Sequence, residues 1–92
     1  MTYQLKGNYS SGVKSYSAAV IRVSDINLGP VGGTYGFKVS VYESETAEEP
    51  VEVATNMFFE IPNDTSEDAL EIRAIKMAAT VFMPDGEIIS TD

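Results

Sequence analysis

Hydrophobic and polar residues alternate along much of residues 15–61 and then change rhythm, dividing the chain into a strand-forming part and a helix-forming part. The clearest alternation is Thr-Tyr-Gly-Phe-Lys-Val-Ser-Val-Tyr over 34–42, where Tyr35, Phe37, Val39 and Val41 point one way. Gly36, Lys38, Ser40 and Tyr42 point the other. Residues 51–61 repeat the pattern, with Val51, Val53, Met57, Phe59 and Ile61 on one face and Phe58 as an apolar exception on the second. Residues 15–24 have strong β character at Tyr16, Val20, Ile21 and Val23, but their alternation is imperfect. Residues 3–7 predict a short first strand, followed by a turn over 8–12. Residues 25–33, rich in glycine and holding Pro30, read as a loop.

After Pro62-Asn63 the period becomes helical. Asp64 or Thr65 offers a cap, with Glu67 or Asp68 completing a capping box, and the helix is expected over about 66–82. Its apolar stripe is Leu70, Ala74, Met77, Ala78 and Val81, widened by Ile75 and Phe82. Ile72, Ala79 and Met83 lie farther round, leaving Arg73, Lys76 and Thr80 as a narrow polar ridge. So wide an arc is either buried by the terminal segments or exposes Ile72, Ala79 and Met83 as an oligomer interface. Asp85-Gly86 predicts a turn and 87–90 a short last strand. The expected fold is α+β: residues 1–92 form one domain, an antiparallel sheet of about four strands with the C-terminal helix across one face.

Charge sharpens this outline. Residues 1–42 carry Lys6, Lys14, Arg22 and Lys38 against Asp25, a net +3, while residues 43–92 carry thirteen acids against Arg73 and Lys76, a net −11. The whole-chain charge of −8 is therefore polarised. The stretch from Glu43 to Glu71 holds Glu43, Glu45, Glu48, Glu49, Glu52, Glu60, Asp64, Glu67, Asp68 and Glu71 with no base among them. Such a field repels phosphate backbones and anionic membranes and draws basic partners in. Acids also serve solubility without any partner.

The residue inventory narrows the chemistry. No His and no Cys occur, which removes the commonest general base, catalytic triads with a histidine, thiolate ligands and disulfides. Asp25-Ile26-Asn27 lacks the later glycine and bidentate glutamate of a calcium loop. The glycine run 29–36 lacks the Lys-Ser or Lys-Thr of a phosphate loop and leads into a strand rather than a helix. Paired carboxylates for glycoside hydrolysis lie in polar connections, not in an apolar pocket that would raise a pKa. Tyr3, Tyr9, Tyr16, Tyr35 and Tyr42 could stack on bases, but the scattered cations form no phosphate-binding stripe. No enzyme, cofactor, metal or direct nucleic-acid role is expected. The absence of Cys, of a long apolar segment and of a basic-then-apolar start predicts a soluble cytoplasmic protein with no membrane role.

The expected function is protein interaction. Glu43, Glu45, Glu48, Glu49, Glu52, Asp64, Glu67, Asp68 and Glu71 would engage the basic, nucleic-acid-binding surface of a partner protein, as an inhibitor or modulator. Small acidic Cys-free anti-defence proteins of phages and mobile elements, which act in the host cytoplasm, share this composition though no motif. The alternative is an assembly subunit, such as a small virion component, that forms homo-oligomers through its helix and a sheet edge.

Overall fold

The computed structural model describes residues 3–10, 14–30, 32–61, 63 and 66–90. Strands β1 (Tyr3–Ser10), β2 (Ser15–Leu28), β3 (Thr34–Tyr42) and β4 (Glu52–Glu60) form an antiparallel meander. Helix α1 (Glu67–Phe82) then carries the chain back across the sheet to β5 (Glu87–Ser90), which pairs antiparallel with β1. The strand order is β4-β3-β2-β1-β5, so the short last strand is a full member of a five-stranded sheet. The fold is the expected α+β arrangement. No helix among the described residues is long and apolar enough to cross a membrane.

The helix side of the sheet is apolar even where the sequence is not periodic. Tyr16 and Ala19, Val23 and Ile26, and Ala54 and Met57 each belong to, or pack against, the same core, although odd spacings should put them on opposite faces. Each odd step coincides with a register shift: Tyr9 pairs Tyr16 while Gly7 pairs Ala19, Ser24 pairs Lys38 while Asn27 pairs Gly36, and Phe37 pairs Met57 while Val39 pairs Ala54. A bulge absorbs one residue and restores the facing. At the second bulge Asp25 takes φ 55°, a left-handed conformation that Asp tolerates better than most residues, and its carbonyl accepts from the Asn27 side-chain amide at 3.0 Å.

Two expectations change as a result. Residues 25–28 are strand, not loop, because the bulge lets β2 continue past Asp25. On β4 the shift turns Val51 and Val53 away from Met57 and Phe59, and Val53 is 45% exposed. Of the turn expected over 8–12, Asn8, Tyr9 and Ser10 are instead in β1, and residues 11–13 lie outside the described residues.

Helix α1 lies along β1 in the same direction. Near its start the Tyr3 amide donates to Glu71 Oε1 at 2.7 Å, and at its end Phe82 meets Tyr9 with ring centroids 6.2 Å apart. Ser66 caps it, accepting from the Ala69 amide at 3.3 Å, with Glu67 and Asp68 in the positive first turn. Asp64 and Thr65, the expected caps, lie outside the described residues. Ala74, Ile75 and Ala78 are fully buried, and the small alanines let the helix approach Leu5, Ile21, Val39 and Phe37 closely.

The buried arc of the helix is rotated from the expected stripe. Met83 is 1% exposed and Ala79 packs against the core, whereas Met77 and Val81 are 37% and 57% exposed. β5 extends the sheet beyond β1, and the turn before it folds down onto Leu5, so the side of the arc facing that edge is covered. The other side meets β4, the last strand of the sheet, and is only partly covered there. That turn demands glycine at two points: a Cβ on Gly7 would lie 2.9 Å from the Gly86 Cα, and one on Gly86 would lie 2.8 Å from Leu5 Cγ. Leu5 is fully buried and has nowhere to move. Gly7→Ala and Gly86→Ala are therefore expected to cost about 1–3 kcal/mol each by overpacking. Gly32→Ala, into open space, should change urea unfolding little. Equal midpoints for the three variants would refute the close approach.

Candidate interaction surfaces

The face of the sheet away from the helix is not bare. Val20 lies on it and is fully buried, between Lys6 on β1 and Tyr42 on β3. The β3–β4 connection, residues 43–51, closes over this end. Lys6 Nζ meets Glu45 Oε1 at 2.9 Å, and Arg22 Nη2 donates to the Glu45 carbonyl at 3.4 Å. Arg22 also lies 4.8 Å above the Tyr42 ring and donates from Nε to Gln4 Oε1 at 3.3 Å. The connection is tightened by Ala47 N–H to the Ser44 carbonyl at 3.3 Å and by Val51 N–H to the Val41 carbonyl at 2.7 Å. Two of the basic residues of the N-terminal half are thus committed to holding an acidic loop.

The acidic residues do not form one surface. Glu43, Glu48, Glu49 and Glu52 are exposed in the connection and at the head of β4, with no ion-pair partner among the described residues. Glu60 stands at the far end of β4, and Glu67 and Asp68 are exposed on the first turn of α1. Glu71 is half-buried and occupied by the Tyr3 amide, while Asp64 lies outside the described residues. The length of β4 separates Glu52 from Glu60 by about 26 Å at ~3.3 Å per residue. That exceeds the ~8 Å screening length at physiological ionic strength, so the two ends act as separate fields.

The helix residues expected at an oligomer interface are also dispersed. Met83 is in the core and Ala79 packs on it, so neither offers an exposed side chain. Ile72 is half-buried. The apolar side chains that α1 exposes most are Met77 and Val81.

A surface absent from the sequence reading lies at β4. Among the described residues this strand pairs only with β3 and ends the sheet. Ile61 donates its amide to the Gly33 carbonyl at 2.9 Å, so the alternation of an antiparallel ladder turns the backbone groups of Phe58 and Glu60 outward. Phe58, the apolar exception in the sequence, lies across Gly36 of β3, where a Cβ would be only 3.2 Å from its ring, and remains 39% exposed. On the helix side, a groove of about 400 Å³ beside the same edge is lined by Phe59, Glu60, Arg73, Lys76, Met77 and Thr80.

Another open cleft, of about 420 Å³, lies between Val23–Ile26 of β2 and Glu67, Leu70 and Glu71. Among the described residues, no group of three carboxylates is placed to hold a metal ion. No protein-family model matches the chain, and neither a curated protein nor a solved structure matches it.

The Lys6–Glu45 pair is close to half exposed, so its expected contribution to stability is small, about 0–1 kcal/mol. Its local effect should be larger. Glu45→Gln is expected to accelerate hydrogen exchange of the Ala47 amide relative to that of Ile75. Unchanged exchange at Ala47 would mean that the ion pair does not hold the connection.

Proposed function

We propose that the protein is an interaction module that binds a basic surface of a partner protein through Glu43, Glu48, Glu49 and Glu52. One observation carries the reading. Lys6 and Arg22 pin Glu45 and hold the connection against the sheet, while its remaining carboxylates stay exposed, with no ion-pair partner among the described residues. Carboxylates held on an anchored loop lose less conformational freedom on binding than those on a free one. Glu60, at the far end of β4, and Glu67 and Asp68, on the first turn of α1, are further sites of attraction for a partner large enough to span the strand. An inhibitor that occupies a nucleic-acid groove is the finer form of this reading, supported by charge density.

The assembly-subunit reading has its own support in the free edge of β4 and in exposed Met77 and Val81. The two readings separate by salt and by mutation. Binding of the intact chain to a flexible lysine–glycine peptide should weaken roughly tenfold between about 50 and about 200 mM salt. The triple variant Glu48→Lys, Glu49→Lys, Glu52→Lys should lose that binding while unfolding like the parent. Self-association that ignores salt, survives the triple variant and is lost on Val81→Asp would favour assembly instead.

A further inference from the structure

The free edge of β4 presents a docking strand with a defined chemistry. Its usable part is short, because the bulge at residues 55–56 breaks the ladder upstream. From Met57 to Ile61 the strand is regular, the backbone groups of Phe58 and Glu60 face outward, and Phe58 and Glu60 place their side chains on the face away from the helix. Met57 and Phe59 face the helix side, where Met77 continues the apolar wall. Unpaired backbone donors and acceptors beside exposed aromatic surface are the features that strand addition uses.

The side chains around the edge specify what an added strand must carry. On the outer face it would run beside the Phe58 ring and the Glu60 carboxylate, which together favour a cation, with Lys38 and Asp25 farther in, on the pocket that Phe58 borders. On the inner face it would cover Phe59 and Met77, with Arg73 and Lys76 on the groove wall opposing any cation there. The fitting sequence therefore alternates basic and apolar residues. A second copy of this chain fits less well: each copy carries a charge of −8, and the outer face would receive the partner's Phe58 and Glu60 rather than cations.

We infer that β4 residues 57–61 accept an extended segment of a basic partner protein by strand addition, with its cations beside Phe58 and Glu60 and its apolar residues over Phe59 and Met77. The inference rests on the basic-partner reading and adds to it the conformation and sequence pattern of the bound segment. Binding then has two parts, a salt-sensitive attraction to the acidic connection and a register-specific pairing at the edge.

The test compares peptides of equal charge on the intact protein. An alternating lysine–valine peptide should bind at least roughly tenfold more tightly than a lysine–glycine peptide, and should slow hydrogen exchange at Phe58 and Glu60. N-methylation of alternate backbone amides should abolish the difference without altering charge. Glu60→Pro, which removes an outward amide, should weaken the alternating peptide more than Glu60→Gln does. Equal binding of both peptides, still dependent on Glu48, Glu49 and Glu52, would overturn the edge inference and leave the basic-partner reading standing. If neither peptide binds, both fall. A dimer in sedimentation that dissolves on Glu60→Pro would assign the edge to a second copy and overturn the inference.

Discussion

The structure depends on keeping one side of a twisted antiparallel sheet continuously apolar under a single helix. The sequence meets this requirement with an irregular spacing that a flat ladder could not accommodate. Three bulges correct the phase, and each falls where two core residues are separated by an odd number of positions. Without the shift at β2, Tyr16 could not stack on Tyr9 at 6.3 Å while Ile21 faces the helix. Without the shift at β4, Met57 and Phe59 could not share a face with Ala54. The same corrections displace side chains elsewhere: Val51 and Val53 turn outward, and Asp25 accepts a left-handed backbone.

The second face is organised by charge. Lys6 and Arg22 project from adjacent strands and meet Glu45, brought over them by the β3–β4 connection. The slight positive charge of the first half of the chain and the strong negative charge of the second are therefore partly an internal match. The acids left exposed include Glu52 and Glu60, about 26 Å apart at the two ends of β4, and Glu67 and Asp68 on the first turn of α1. That strand is consequently both the spacer between two acidic fields and the open edge of the sheet. On the reading proposed above, that position suits the strand to a basic, extended partner.

Closure of the fold at the other edge explains the helix. β5 pairs with β1, and the Gly86 turn settles on Leu5 with too little room for a Cβ. This pulls Met83 into the core and rotates the buried arc, leaving Met77 exposed beside β4 and Val81 exposed one turn farther along the helix. An apolar arc wider than one sheet face covers is thus divided unequally, with the surplus at Met77 and Val81.

Local chemistry alone determined much of this protein. Alternation located β3, the proline break and helical period located α1, and the polar Asp85-Gly86 step located the turn before β5, because each signal is written in residues next to one another. Phe58 stood out in the sequence as an apolar residue on an otherwise polar face, but only the strand order placed it at the edge of the sheet. Tertiary structure alone decided the rest. Bulges arise from pairing with a neighbouring strand, so the phases of Val53, Ile26 and Tyr16 depended on partners distant in the chain. The pairing of Glu45 with Lys6 joins residues 39 positions apart, and the separation of Glu52 from Glu60 follows from a strand laid between them. Charge is a property of sequence, but the field it makes depends on where the fold puts it.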